Sequence, residues 1–545
     1  MSMSKNIARL AVTAGLTAAL SFGGVMAPVS MAFAAEANGS VTIGKALGND
    51  TEFMGYKIFD ADVAKDENGQ TLVSNIAWAN DKVGAAVKKA IEEFDTGATI
   101  ATAQDAADWI SNNVMHTGET TSVASDSAAY KIAAAVAKVT GLDDSSDYAA
   151  TSNGVASNLS HGYWLFVTNA LTVAGTETAT APIFAVVGDD PVSITEKTSI
   201  PTVDKQVREG DAWGKVSDSY IGEEVEYKLT GSVASNIDTF TKYEYTFQDH
   251  LSVGLEAIKS SVNVTINDKV INGYTVDLVD TKNASGNLTG GQDLTISFSN
   301  LKDAAKAAGV TLTGGSKVVV TYKAKLTDKA EYTATGNTND VKLVYSNNPM
   351  TSDTGTSTSK RVTDHVFRLD VTKVEKDNEG QKLEATFQVK MTKEGGKELK
   401  DNRWLTQTGG ITDKEEKAGK FTTSKGADKI YIPGLVAGTY EITECNTPAG
   451  YNTLAPFTIT VDPTYDENGT LTGLDVTPSN TEMVTPSTTN DATIPVTIKN
   501  KKGSGLPLTG LNGVTFTWIA GGAVLCIGVA HLIRSRKQAE ESEQE

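Results

Sequence analysis

Cysteine is nearly absent: Cys445 and Cys526 are the two in 545 residues. That excludes a disulfide scaffold and any cysteine-rich metal site. Histidine is scarce too, with five residues. Positive charge is in deficit, 48 basic against 67 acidic side chains and a net charge of -19. Such a surface repels phosphate backbones, which excludes nucleic acid as a partner. What remains is a chain that is 39% hydrophobic, the balance of a folded soluble protein. At roughly 150 residues per domain, its length allows three or four domains, each with its own core.

Both ends read as addresses. Lys5 and Arg9 precede an apolar stretch from Leu10 to Val25, and Ala32-Phe33-Ala34 follows as a small-x-small cleavage site. Residues 1–34 are therefore expected to be a secretory signal peptide. At the other end, Leu506-Pro507-Leu508-Thr509-Gly510 precedes an apolar stretch from Val514 to Ile533, long enough to span a bilayer. Arg534, Arg536 and Lys537 supply a positive cytoplasmic flank, which makes 534–545 a cytoplasmic tail. The pentapeptide resembles the LPxTG cell-wall sorting signal of Gram-positive bacteria. The resemblance implies that a sortase cuts between Thr509 and Gly510 and passes the Thr509 thioester to an amine. It also implies a secreted, wall-anchored protein whose precursor is held in the membrane for a time. Sorting would remove Cys526 and leave Cys445 without an intrachain partner.

Between the addresses, the apolar period divides the chain. Residues 35–198 mix strand patterns (Ser40 to Lys45, Tyr163 to Val167) with Ala-rich helical spacing (Asp81 to Phe94, Ala103 to Val114, Ser125 to Val139). This is a mixed α+β N-terminal domain. From 199 to 350 the period falls to two, with strands expected at Val225 to Leu229, Tyr243 to Phe247, Val262 to Ile266, Leu294 to Phe298, Val318 to Leu326 and Val341 to Tyr345. Residues 351–363 are rich in Thr and Ser and read as a linker. Strand patterns return over 364–502, from Phe367 to Val374 through Ile494 to Asn500. The fold class is mainly β: tandem immunoglobulin-like β-sandwiches behind the mixed domain.

Strand periodicity also sends ionisable side chains inward. Residues i, i+2 and i+4 share a face. Phe367, Leu369 and Val371 therefore lead to Lys373; Tyr440 and Ile442 lead to Glu444; Ile494, Val496 and Ile498 lead to Asn500. In the domain before it, Val203 and Val207 flank Lys205, and Tyr243, Tyr245 and Phe247 lead to Asp249. Val341, Leu343 and Tyr345 share their face with Asn339 and Asn347. Each sandwich thus sends an amine, a carboxyl and a carboxamide toward an apolar interior, where an unpaired charge costs several kcal/mol. Burial there lowers a lysine pKa and raises a carboxyl pKa. A neutral amine held against a carboxamide, with an acid to move protons, can expel ammonia and leave a Lys-Asn isopeptide bond. The event happens once per domain and is not turnover, so the chain is not read as an enzyme.

At these residues the chain resembles the major (backbone) subunit of sortase-assembled Gram-positive pili. Lys373-Val374-Glu375-Lys376-Asp377 is similar to the first-strand motif of a CnaB-type domain. Gly438-Thr439-Tyr440-Glu441-Ile442-Thr443-Glu444, with Pro448-Ala449-Gly450-Tyr451 after it, is similar to the pilin E-box. Val496-Thr497-Ile498-Lys499-Asn500 resembles the last strand. The resemblance implies a Lys373–Asn500 bond with Glu444 as the catalytic acid. Thr202 to Val207, Phe247-Gln248-Asp249 and Tyr345 to Pro349 resemble the CnaA-like D2 domain, with Lys205 as amine and Asp249 as acid. Asn339 is the chosen carboxamide, since Asn339-Asp340-Val341-Lys342-Leu343 resembles the family's N-x-A-x-L stretch; Asn347 is its rival. No internal bond is expected in the first domain.

The resemblance further implies an intermolecular lysine just after the first domain. Lys197 stands there, in Thr195-Glu196-Lys197 where the family commonly has Tyr-Pro-Lys. The implied partners are pilin-specific and housekeeping sortases, identical subunits in a covalent polymer, minor and tip pilins and peptidoglycan. Host glycoprotein or extracellular matrix would be met by such an adhesive fibre. No cofactor and no metal are implied. The alternative is a non-polymerising wall-anchored adhesin. A wall-anchored hydrolase would need a reactive cluster, and His116, His161, His250 and His365 are scattered in sequence. Asp249 and His250 are neighbours, but adjacent strand residues face opposite sides.

Overall fold

A computed structural model describes residues 39–44, 51–65, 71–114, 126–142, 146–196, 198–282, 285–286, 288–426, 429–487, 489 and 491–503. The signal peptide, Lys45, Lys197, the sorting motif 506–510, the spanning segment 514–533 and the tail lie outside them. No described helix is long and apolar enough to cross a membrane.

In the first domain the fully buried strand Gly162–Thr168 pairs with Phe53–Lys65 and Ile183–Val187. Three helices, Asp81–Phe94, Ala103–Asn113 and Ala128–Val136, share a core with this sheet. The second helix starts at a capping box formed by Thr102 and Asp105, which satisfies two otherwise orphaned backbone donors. A small separate sheet joins Gly39–Gly44 to Val155–Leu159 and, in parallel, to Val192–Thr195.

The second domain is a sandwich. One sheet runs Ala212–Gly214, Val203–Glu209, Glu224–Ser232, Lys317–Leu326, Leu255–Ile266 and Lys269–Val270. The facing sheet contains Lys360–His365, Asn337–Ser346, Tyr245–Leu251, Leu288–Phe298 and Thr275–Lys282. Alternate residues of both sheets meet in a core rich in valine, leucine and tyrosine.

Residues 351–363 are not a linker. Thr354–Thr356 pairs antiparallel with the end of Asn337–Ser346, and Lys360–His365 pairs with its start. Val362 is fully buried in the second domain's core. The β-branched residues that make this stretch read as polar spacer also suit a half-buried strand. The second domain's core therefore extends to Val366, and Phe367 begins the third core.

The third domain is another sandwich. Phe367–Glu375 lies beside Thr493–Asn500 in parallel register, flanked by Ile430–Leu435 and Asn378–Lys382. The opposite sheet is built on Thr386–Glu394, Gly438–Asn446, Phe457–Tyr465 and Leu471–Pro478.

Candidate functional sites within the two sandwiches

In the third domain, the parallel register sets Lys373 opposite Ile498 and Glu375 opposite Asn500. Lys373 and Asn500 are thus two positions apart on one inward face. Glu444 arrives from the facing sheet. The side chains of Lys373 and Glu444 are both fully buried, and Nζ lies 3.2 Å from Glu444 Oε1. Asn500 Nδ2 donates to both carboxylate oxygens, at 3.0 and 3.1 Å, and to the Asn452 carbonyl at 3.0 Å. The turn after Glu444 holds the acid: the Leu454 amide donates to Oε2 at 2.7 Å and the Thr447 hydroxyl at 3.2 Å. Gly450 in that turn has φ +89°, a conformation that favours glycine. Lys373 Nζ sits 5.2 Å from the Phe387 ring centre. Burial pulls the lysine pKa down from 10.5 to about 8, against the opposing pull of Glu444. Lys373 Nζ and Asn500 Oδ1 are both buried without a hydrogen-bond partner. A lysine nitrogen with a free donor direction and a carboxamide oxygen with free lone pairs are thus buried in one core.

The second domain assembles the same three chemistries from different strands. Lys205 comes from Val203–Glu209, Asp249 from Tyr245–Leu251 and Asn339 from Asn337–Ser346. The first and last strands do not pair in parallel here, as they do in the third domain. Val203–Glu209 pairs with Glu224–Ser232 in one sheet, while Asn337–Ser346 lies in the other. Lys205 reaches Asn339 across the sandwich. Its Nζ donates to Asp249 Oδ1 and, at 2.8 Å, to Asn339 Oδ1. The side chains of Lys205 and Asp249 are fully buried, and Asn339 is 0% exposed. Burial lowers the Lys205 pKa from 10.5 to about 8 and raises that of Asp249, each opposed by the other's charge. Asn347 lies beyond the far end of the Asn337–Ser346 strand, eight positions on, with its backbone tied to Asp353 and Ala179.

Sequence reading missed Tyr322. It is fully buried on Lys317–Leu326 at an inward position of the alternation Val318, Val320, Tyr322, Ala324. Its hydroxyl donates to Asp249 Oδ2 and accepts from Asn339 Nδ2 at 2.6 Å. The period-two rule that found Lys205 would have found it, had a phenol been counted among the chemically active groups.

The other candidates separate. Asp249 points inward while His250 is half exposed and pairs with Asp293 at 2.8 Å, so the two form no dyad. His365 is buried against the Gly469 carbonyl. Cys445 is exposed, one residue from Glu444 on the opposite face of its strand. Among the described residues no group of three or more His, Cys, Asp or Glu is arranged to hold a metal ion.

Residues 367–475 match the family model of the SpaA prealbumin-like fold domain. No curated protein matches the chain. Among solved structures, the chain is similar to a backbone pilin of Streptococcus pyogenes with a modular three-domain structure. That likeness has 16% identity and a TM-score of 0.47, over 87% of this chain and 100% of that one. It is also similar to the full-length major pilin SpaD from Corynebacterium diphtheriae, at 17% identity and TM-score 0.43, over 86% and 98% of the two chains. The pilus 2b backbone protein of group B streptococcus aligns at 22% identity and TM-score 0.39, over 56% of this chain and 99% of that one.

Proposed function

We propose that this chain is the structural backbone subunit of a covalent cell-surface pilus. A sortase would join Thr509 of one subunit to Lys197 of the next, and Lys205–Asn339 and Lys373–Asn500 isopeptide bonds would seal the two sandwiches. The observation that carries this reading is the double occurrence of one trio. Lysine, carboxyl and carboxamide meet in two separate apolar cores, built from unrelated strand pairings. Two such buried clusters are costly to maintain unless they react.

The chemistry follows from the placement. Burial leaves a fraction of each lysine neutral near neutral pH, so its Nζ lone pair can attack the asparagine Cγ. The acid gives a proton to the departing nitrogen and takes one from Nζ. Ammonia leaves, an amide forms, and the carboxyl ends as it began. Fixed contact supplies the effective concentration that this amide exchange needs. The product has no charge left to solvate, which removes the burial cost of both partners.

Intact mass of the secreted chain tests the internal bonds: the expected deficit is two ammonia molecules, and a chain of full mass would overturn them. Polymerisation is tested separately, on cell-wall extracts boiled in detergent. A high-mass ladder is expected that collapses in Lys197→Ala. A single wall-linked band in the unmodified strain would instead favour the non-polymerising adhesin.

A further inference from the structure

The two sites differ in how the acid reaches the leaving group. In the third domain Glu444 contacts Asn500 Nδ2 directly with both oxygens. In the second domain the acid is Asp249, one methylene shorter, and Asn339 Nδ2 instead donates to the Tyr322 hydroxyl. That hydroxyl in turn donates to Asp249 Oδ2. We propose that Tyr322 is a catalytic proton relay of the second domain, carrying the acid's proton to the departing nitrogen of Asn339. The inference rests on the isopeptide reading of this site.

The steps balance. Neutral Lys205 attacks Cγ of Asn339 through Nζ, and the Asn339 carbonyl electrons move onto Oδ1. In the tetrahedral adduct Nδ2 regains a lone pair, so the Tyr322 hydroxyl turns its proton from Asp249 Oδ2 to Nδ2 and takes the Asp249 proton in its place. The C–N bond then breaks and ammonia departs. Nζ returns a proton to Asp249 through Oδ1, which it already contacts. The net change is one amine and one carboxamide converted to one substituted amide and ammonia. Tyr322 and Asp249 end unchanged. Burial, reinforced by the Asp249 charge, holds the phenol well above its ordinary pKa, so the hydroxyl keeps a proton to pass. The ring is fixed by stacking on Tyr227, with centroids 5.3 Å apart, so the hydroxyl is aimed before reaction.

The test follows the linked Lys205–Asn339 peptide over time after cell-free synthesis of the full chain, with the Lys373–Asn500 peptide of the same molecule as reference. Tyr322→Phe keeps the ring and removes the hydroxyl. It is expected to slow second-domain linking by about 10²-fold or more, the scale of general acid–base catalysis, and to leave the reference unaffected. Adding Asp249→Glu to Tyr322→Phe should restore linking, because the longer acid can reach the nitrogen as Glu444 does. Equal rates in Tyr322→Phe and the parent would overturn the relay, as would slow linking that the longer acid does not rescue. Should Tyr322→Phe fail to fold, 3-fluorotyrosine at position 322 carries the test: a changed rate supports the relay and an unchanged rate overturns it. Absence of the second-domain link in the parent chain is a different failure. It would remove the isopeptide reading itself.

Discussion

At the scale of the residue, the two trios are poised between cost and reaction. Asn500→Ala removes the electrophile and leaves Lys373 and Glu444 buried as an unlinked pair. Closing the chain between residues 373 and 500 makes a loop of roughly 130 residues, worth about 5 kcal/mol by the chain-entropy argument used for disulfides. The variant is therefore expected to lose one ammonia fewer and to unfold in its third domain at a clearly lower temperature. Its stability should also depend on alkaline pH. The folded lysine has a pKa of about 8 against an ordinary 10.5, so between these values the unfolded state binds more protons. Stability then rises with pH across that window. Denaturant midpoints from pH 7 to 11 would check this, and a flat profile would contradict it. The linked parent, whose lysine no longer titrates, should show no such rise.

At the scale of the element, the sequence was most legible where strand alternation alone decides the outcome. Lys205, Asp249, Asn339, Lys373, Glu444 and Asn500 all lie at inward positions named from a period of two. The Asp81–Phe94 helix was legible for the same reason, as its apolar residues recur with helical spacing. Pairing was much less legible. Nothing local in Val203–Glu209 says that its neighbour is Glu224–Ser232 while its chemical partner lies in the opposite sheet. Residues 354–356 and 360–365 were missed because their partner strand supplies their context. Gly355 pairs with Tyr345, and a Cβ there would lie 2.9 Å from the Tyr345 ring. Val362→Asp separates the two views of this segment. A spacer would tolerate it, whereas a core strand should lose about 3 kcal/mol or more from an unpaired buried charge. Thermal unfolding of the second domain reads the difference.

At the scale of the whole molecule, the proposed bonds divide the chain into stretches that are inside a closed ring and stretches that are not. The rings run from Lys205 to Asn339 and from Lys373 to Asn500. Between them, residues 340–372 carry the connection through a single backbone, and this stretch includes Lys360–His365, which is paired within the second domain's sheet. Pulling one subunit by Lys197 and Thr509 is expected to release this segment first, with an extension of at most roughly 120 Å from 340–372. Releases from within either ring should appear only when Lys205→Ala or Lys373→Ala opens it. Longer releases from the unmodified chain would contradict the ring assignment.

The strand Lys360–His365 thereby acquires a mechanical meaning. In the proposed fibre, loaded at Lys197 and Thr509, the first domain would lie outside the load path, and each proposed ring would pass force straight through its amide. The hydrogen bonds that zip Lys360–His365 to Asn337–Ser346 are then the main store of slack between the two rings, a compliant splice between rigid links.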